Sequence, residues 1–488
     1  MMVINRRLVG TLLFSVVGSL ILVIFGINPL FSVSIGVIFA IIYTYTKTVY
    51  NDFCIIFFCI TFFFFLMSNE FIIEFFHLEG GIRESTVDAN NHYLLVILIS
   101  LIGLLIGYQI LFKKQKIELS EISLEDTIEK RRYRNVSRIL YYFTFILYLA
   151  PVVERIIFVR NFSYYMSYIS YNSNIPTIFI KMGEMCPVFF AVYLATFPSK
   201  KQCKIPVLLY VLYAFCYLFT GKRYQTVASL LFILVYYLIR NKTDGKIGIK
   251  WIKKRTIVMI ILCLPLVGAG LAAYSTIRTG SSLATGTSFG DLLYTLFTGV
   301  ADSDKVIKYG YILKSEFPKG HFYTLGSVID YFKYSALSRL LLGTDVTVSQ
   351  TVEYALQGNG YSYTLSYLYY PSQFLSGHGL GSCYIAELYQ DMGYLGVFLG
   401  NVLLGIIIRN VFTLSKNSVI KNAIIFYMFK LLMLTPRNDY DVILRELGSV
   451  SFWGTMLVLV FVLNLFYKGK DVRLNNVSEV NGGSKWRI

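Results

Sequence analysis

The sequence predicts an all-α polytopic membrane protein of about twelve transmembrane helices with one large extracytoplasmic loop. The prediction depends on composition, on recurring apolar stretches and on where the charges fall. Of 488 residues, 56% are hydrophobic and only 15% charged, and the mean hydropathy is +0.59. A soluble domain carries about 25% charged residues. The composition therefore excludes a soluble enzyme, a disordered chain and a fibrous protein.

Apolar stretches long enough to cross a bilayer as a helix recur along the chain. They cover residues 8–26, 29–47, 53–72, 93–112, 138–158, 176–197, 205–220, 225–239, 256–275, 392–411, 420–436 and 449–467. Because backbone polar groups in lipid must be satisfied within the segment, each stretch is expected to be helical. The first is followed at once by the second, which indicates a signal anchor and not a cleavable signal peptide.

The basic residues are concentrated in alternate connections. With the N-terminus in the cytoplasm, the connections on the same side are 113–137, 198–204, 240–255, 409–421 and the tail from 468. About 29 of the 45 Lys and Arg residues then lie on the cytoplasmic side, as the positive-inside rule expects. The net charge of +17 is thus explained by topology, and we expect no nucleic-acid partner.

This topology divides the chain into helices 1–9 (residues 1–275), a large extracytoplasmic loop (276–391), and helices 10–12 with a cytoplasmic tail (392–488). The loop is rich in Tyr and Gly, and its stretch 322–342 is amphipathic enough to form a helix along the outer interface. A long loop in a compact bundle is usually functional. The seven cysteines form no CxxC or Cys/His cluster, so we expect small core residues and not a disulfide or zinc framework.

Cations at the predicted outer side are the first candidates for a binding site. Lys222 and Arg223 stand in a very short turn between two spans, and Arg278 follows the end of another. The guanidinium fork suits phosphate oxygens, and Lys adds a point charge. The alternative is that these side chains only snorkel to the interface.

A further charged group lies between the last two spans. Arg437 and Arg445 either bind an anion or pair with the acidic residues nearby in a structural network, namely Asp439, Asp441 and Glu446. Charges also occur inside or at the rims of spans, as Glu154 with Arg155 and Lys181 with Glu184. For Lys181 and Glu184, three residues apart on one helix face, a mutual ion pair is the simpler interpretation.

Residues 376–398 carry the richest pattern. The alternate glycines of 377–381 form a turn that leads into a helix starting near Ser382, with Glu387 and Asp391 four residues apart on one face. Such a turn can present N–H groups to an anion, and His378 within it is suited to proton transfer near neutral pH. Taken singly each feature has a simpler reading, since most loop histidines have no chemical role.

The two glycines further along this stretch, Gly393 and Gly396, could simply allow close helix packing. The sequence shows no Walker loop, no DxD-type metal pair in a cytoplasmic domain and no cytoplasmic domain large enough to bind a nucleotide. A lipid-linked pyrophosphate facing outward is then the expected activated donor. Arginines would stabilise the departing diphosphate, while a carboxylate or His would take the proton from an acceptor hydroxyl.

Residues 376–398 resemble the best-marked stretch of the Wzy O-antigen and capsular polysaccharide polymerases: a Gly-rich turn, then Ser/Cys-Tyr-Ile-Ala-Glu-Leu-Tyr, then Asp-x-Gly-Tyr-Leu-Gly. The Thr-Gly-Lys-Arg turn at 220–223 and the arginine-containing loop at 437–446 also resemble family features. The predicted topology agrees with this resemblance. Cys383 stands where a second small Ser is expected, which weakens a role for that hydroxyl.

The resemblance implies a GT-C-like membrane enzyme that transfers a growing glycan from undecaprenyl diphosphate onto a lipid-linked repeat unit. On this reading Arg223, Arg278 and Arg437 hold the diphosphate, with Lys222 and Arg445 as further candidates. Glu387 or His378 is the base, with Asp391 as a third candidate catalytic residue, and loop tyrosines stack on sugar rings. We expect no cofactor and no metal.

The partners implied are undecaprenyl-diphosphate-linked glycans, membrane lipid and a chain-length regulator. The expected location is the bacterial cytoplasmic membrane, with the active site facing the extracytoplasmic side. Two alternatives stay open. One is an O-antigen ligase or another lipid-linked glycosyltransferase, which differs only in its acceptor. The other is a flippase for lipid-linked oligosaccharide, which should line its midplane with charges.

Overall fold

The computed structural model describes residues 6–76, 86–109, 126–162, 164–221, 223–253, 303–334, 350–415 and 417–481, with short pieces between 255 and 343. Regular structure in these ranges is helical throughout. The first part of the bundle consists of α1 (Arg6–Ile24), α2 (Pro29–Tyr45), α3 (Val49–Phe62), α4 (Ser68–Phe76), α5 (Val87–Gln109), α6 (Ile128–Asn161), α7 (Met166–Ile169), α8 (Thr177–Glu184), α9 (Cys186–Ala195), α10 (Lys200–Leu218) and α11 (Arg223–Thr243).

Short helices occupy the described part of the large predicted loop. They are α12 (Ser303–Ile312), α13 (Gly326–Lys333), α14 (Val352–Gln357), α15 (Tyr361–Tyr369) and α16 (Pro371–Leu375). The chain then returns to long helices, which are α17 (Tyr384–Asn410), α18 (Val419–Leu434), the short α19 (Val442–Gly448) and α20 (Val450–Asn481). The amphipathic stretch predicted at 322–342 contains α13, and most of its remainder lies outside the described residues.

Eight helical segments in the described residues are long and apolar enough to cross a membrane. They are Arg7–Ile24, Asn51–Phe76, Val87–Gln109, Ile128–Asn161, Thr177–Ala195, Tyr384–Asn410, Val419–Arg437 and Val450–Tyr467. Each coincides with a predicted span. The shorter α2 is also apolar, and α10 and α11 form where two further spans were predicted. The predicted span at 256–275 lies mostly outside the described residues. The protein is therefore a multi-pass membrane protein.

The most extensive contact between described helices is that of α5 against α17. Small residues allow the two backbones to approach. A Cβ on Gly107 would lie 2.0 Å from the carbonyl oxygen of Val402, and one on Gly405 would lie 2.4 Å from that of Leu104. Membrane helices lack a hydrophobic driving force for association, so such close backbone contact supplies much of the packing energy.

The contacts between helix ends define two ends of the bundle. At the first, called here the basic end, Arg7 donates to the Tyr43 carbonyl at 3.1 Å and Arg409 lies 2.9 Å from the Asp52 carboxylate. At the other, called the loop end, Asn28 N–H donates to Glu74 at 2.9 Å. In each case, the predicted topology also places the contacting helix ends on the same side of the membrane.

Helix α12 is fixed to the loop end by buried polar groups. The Lys308 ammonium lies 3.6 Å from a carboxylate oxygen of Glu70 in α4 and 3.6 Å from one of Asp304. Asn69 donates to Asp304 at 2.8 Å. These residues are all buried, and buried charges persist only when they are paired. The cluster therefore fastens the loop region to the membrane bundle.

Candidate functional site

The Gly-rich turn and the start of α17 stand at the loop end. Helix α17 begins at Tyr384, close to the predicted start, and follows an extended Cys383. Gly377 has a φ of 93°, and a Cβ there would lie 2.6 Å from the Tyr165 carbonyl oxygen. Only glycine satisfies both conditions easily. The turn is thus held against the short segment that contains α7.

Glu387 lies in the first turn of α17 and is only 1% exposed. Its Oε1 accepts a hydrogen bond from Ser382 Oγ at 2.5 Å, and its Oε2 accepts one from the Tyr440 N–H at 2.8 Å. Tyr440 in turn donates its hydroxyl to the Gly400 carbonyl at 2.8 Å. Both carboxylate oxygens are therefore engaged in joining the Gly-rich turn to the segment before α19.

Arg437 ends a 3-10 turn, Thr435–Arg437, directly after α18. Its Nε lies 4.0 Å from the position that a Cβ on Gly381 would take. The structure therefore brings together two features that the sequence singled out separately, the glycine turn and this arginine. A guanidinium beside an exposed glycine backbone offers donors to an anionic group that settles on the turn.

The remaining charges of 437–446 form a network. Asp439 accepts from Ser327 Oγ at 2.7 Å and lies 3.8 Å from Arg445. Arg445 donates to Ser327 Oγ at 3.0 Å and lies 3.6 Å from Glu446. These contacts match the structural alternative for Arg445, although its side chain stays about one-third exposed at 33% and can still meet a ligand.

Asp441 is fully buried beside this network. Its Oδ2 accepts from the Val328 N–H at 2.7 Å, which ties α13 to the segment before α19. Its Oδ1 has no hydrogen-bond partner among the described residues. Burial, with the nearby Asp439 charge adding to it, raises the pKa of the Asp441 carboxyl to about 6.

The other two predicted catalytic side chains occupy different surroundings. Asp391 accepts from the N–H groups of Tyr323 at 3.1 Å and Thr324 at 2.7 Å, which are the contacts of a carboxylate that stabilises a turn. His378 is half-buried, stacks on Tyr165 with ring centroids 3.6 Å apart, and has Nδ1 3.1 Å from Ser376 Oγ. Its Nε2 has no hydrogen-bond partner within the described part of the chain.

The side chains of the other three predicted diphosphate ligands are not among those that the structure describes. Lys222 and Arg278 lie outside the described residues, and Arg223 starts α11 with a side chain that is not described.

The simpler interpretation of Lys181 and Glu184 is confirmed, since they form an ion pair at 2.8 Å. Gly393 has a φ of 63° and a ψ of −153°, so it kinks α17. The sequence analysis suggested only close helix packing for this glycine and did not predict the kink.

Sequence reasoning missed Lys430, which stands within the apolar stretch of α18. It lines two adjoining cavities of about 210 and 180 Å³ together with Gln225 of α11 and the stacked rings of Tyr148 and Tyr213. A lone lysine in an apolar span is itself a signal of function, because charge at membrane depth is costly. Glu446 also lines the larger cavity, so this space adjoins the Arg445 network.

Within the described ranges, no three His, Cys, Asp or Glu side chains lie close enough together to hold a metal ion. The six cysteines in those ranges are free, and five of them are buried.

No curated protein and no solved structure gives a significant match to the chain. The family model described as O-antigen polysaccharide polymerase Wzy matches residues 8–470, nearly the whole chain. The resemblance drawn from residues 376–398 is thereby confirmed. The chain belongs to the O-antigen polysaccharide polymerase Wzy family.

Proposed function

We propose that this protein polymerises lipid-linked oligosaccharide repeat units at the outer face of the bacterial cytoplasmic membrane. The growing glycan leaves undecaprenyl diphosphate and is joined to a hydroxyl of the next lipid-linked unit. The proposal includes a GT-C-like bundle of about twelve helices, to which the eight spans, α2, α10 and α11 belong, and it places the loop end outward. The partners are the two lipid-linked glycans and the surrounding lipid, with a chain-length regulator as a further partner.

The observation that carries this proposal is the position of Arg437 beside Gly381 at the loop end. A departing diphosphate gains negative charge as the glycosidic bond breaks, and preorganised donors lower the barrier by stabilising that charge. Arg437 and Arg445 supply such donors without a metal. Lys222, Arg223 and Arg278 remain proposed additional ligands.

For the proton of the acceptor hydroxyl we propose His378. Its ring is fixed by Tyr165 and Ser376, and its Nε2 has no hydrogen-bond partner among the described residues. A general base must reach the proton it takes, which the fully buried Glu387 does not do in this arrangement. Glu387 therefore acts as a positioning residue that holds the Gly-rich turn beside Arg437, and Asp391 holds the 323–325 turn.

Loop tyrosines are proposed to contact the glycan. Tyr369 at the end of α15 is 36% exposed, and its ring stacks on the buried Tyr309 with centroids 4.0 Å apart. Aromatic faces supported in this way offer flat apolar surface at little conformational cost, which suits stacking against a sugar ring.

The test is reconstitution of the purified protein into liposomes with a defined lipid-linked repeat unit. A ladder of glycans that lengthen by whole repeats is expected. One defined transfer onto another acceptor would instead indicate a ligase, and movement of the lipid-linked unit across the bilayer without bond formation would indicate a flippase. Either result would overturn the proposal.

A further inference from the structure

A chamber with both polar and apolar lining residues lies inside the helical bundle near the loop end. It consists of the two cavities of about 210 and 180 Å³. They share four lining residues, Tyr148, Tyr213, Gln225 and Lys430. Both volumes are well above what a single water requires. The chamber is thus large enough for a small polar group.

The positive charge in the chamber is that of Lys430. It stands four residues before the end of α18 at Leu434, which places it about 6 Å below the loop end at 1.5 Å per residue. Its ammonium has no hydrogen bond or ion pair with any side chain that the structure describes. An uncompensated cation at this depth is costly, and an anionic ligand in the chamber would remove that cost.

The nearest acid in the chamber lining is already engaged. Glu446 accepts a hydrogen bond from the Tyr427 hydroxyl at 3.4 Å and lies 3.6 Å from Arg445. No ion pair joins Glu446 to Lys430 among the described contacts. Glu446 therefore balances the arginine at the rim, and the charge of Lys430 is left for a ligand.

The polar groups of the lining suit phosphate oxygens. Gln225 and the tyrosine hydroxyls can donate hydrogen bonds. The chamber adjoins Arg445 through Glu446, so a ligand that bridges the two meets cations at both ends. A ligand that enters from the membrane and ends in two phosphates has the chemistry and the location that this arrangement requires.

We propose that the chamber seats the diphosphate of the polyprenyl carrier, with Lys430 as its charge partner inside the membrane. The inference rests on the proposed function, because only a lipid-linked donor brings this group to the site. It adds a residue to the outer arginines: Lys430 takes the charge of the diphosphate end that stays attached to the lipid.

The experiment measures carrier binding by the full-length protein in nanodiscs of phosphatidylcholine, with no glycan acceptor present. Undecaprenyl diphosphate should bind the wild type, and Lys430→Met should weaken binding at least tenfold. Lys430→Arg, which keeps the charge, should retain most of the affinity. Lys421→Met, a change at an exposed lysine at the other end of α18, is the matched control and should bind as the wild type does.

A second readout separates ligand binding from a structural role. Without ligand, Lys430→Met should be at least as thermally stable as the wild type, since an unpaired buried charge is removed. If Lys430→Met fails to insert, Gln225→Leu provides the same binding test. Wild-type affinity in either inserted variant, or a large loss of ligand-free stability in Lys430→Met, would overturn the proposal.

Competition identifies the source of the phosphate. Undecaprenyl diphosphate should be displaced poorly by phosphatidylglycerol or by inorganic pyrophosphate. Equal displacement by phosphatidylglycerol would indicate a general site for anionic lipid, and equal displacement by pyrophosphate would show that the lipid is not recognised. Either would refute the carrier assignment. Because polymer is not measured, carrier binding that depends on Lys430 would stand even if the wild type made no glycan ladder.

Discussion

The Tyr440 N–H donates a 2.8 Å hydrogen bond to the Glu387 carboxylate, across 53 residues of sequence. This contact joins the two stretches that carry the candidate chemistry, the Gly-rich turn before α17 and the charged segment before α19. Arg437 is three residues from Tyr440, and Gly381 is six from Glu387. The hydrogen bond therefore fixes how the arginine approaches the turn.

The first prediction separates positioning from catalysis at Glu387. Glu387→Gln should retain most polymerisation, because the amide oxygen still accepts from Tyr440 and the amide N–H can donate to Ser382. Glu387→Ala should lose both hydrogen bonds. The buried groups left unsatisfied should lower the free energy of unfolding by about 1–3 kcal/mol. Glycan ladders and melting temperatures of the two variants provide the measurement. Complete loss of polymer in a stable Glu387→Gln protein would instead make Glu387 the base.

The second prediction concerns His378 as the general base. His378→Gln should lower the rate of polymerisation by about 100-fold or more, since a positioned base contributes about 10²–10⁴ in rate. Membrane insertion and melting temperature should stay close to wild type because the ring is only half-buried. His321→Gln, a change at another histidine of the loop region, serves as the control. Equal rates in the two variants would remove His378 from the mechanism.

The third prediction is a pH dependence of stability from Asp441. Burial raises the pKa of this carboxyl from its ordinary value of 3.8 to about 6, so the folded protein binds the proton more tightly than the unfolded chain does. The stabilising contribution is complete below about pH 4 and is lost as pH rises through about 6. The difference amounts to at most about 3 kcal/mol.

Asp441→Asn removes that titration. Its melting temperature should exceed that of the wild type at pH 7.5, and the decline that the wild type shows between about pH 4 and 6 should flatten. Thermal unfolding in detergent at stepwise pH measures both. A parallel decline in the two proteins would show that another group is responsible.

The fourth prediction concerns the kink of α17. Gly393 has backbone angles that a side chain strains by about 1–3 kcal/mol, and the kink sets the direction of the segment that carries Glu387. Gly393→Ala should lower the melting temperature and reduce polymer together. Gly454→Ala in α20, where a Cβ meets nothing within 4 Å, should change neither. A Gly393→Ala protein with normal stability and chain lengths would show that the kink is dispensable.

The long helices could be predicted from the sequence because a bilayer requires a run of apolar residues of fixed minimum length. The start of α17 was predictable for a second reason. Alternate glycines interrupt a helix, and an apolar run follows them. The eight spans fall within or overlap the predicted stretches.

The contacts of the candidate site were not predictable, because they join segments far apart in sequence. No sequence feature near Asp391 predicts that its carboxylate accepts hydrogen bonds from the N–H groups of Tyr323 and Thr324. Likewise, the link from Glu387 to Tyr440 needs the contact of α17 with the Thr435–Arg437 turn. Lys430 is different: its charge within an apolar stretch could have been noticed, but only the fold reveals the chamber that it lines.

The central claim is that Arg437 stabilises a departing diphosphate at the loop end. The most direct test compares Arg437→Ala with Arg131→Ala, a change at an exposed arginine at the basic end that pairs with Asp126, in liposomes containing the lipid-linked repeat unit. Arg437→Ala should reduce glycan formation by about 100-fold or more, the usual effect of losing one preorganised donor, while Arg131→Ala yields the wild-type ladder. A wild-type ladder from a correctly inserted Arg437→Ala protein would contradict the account.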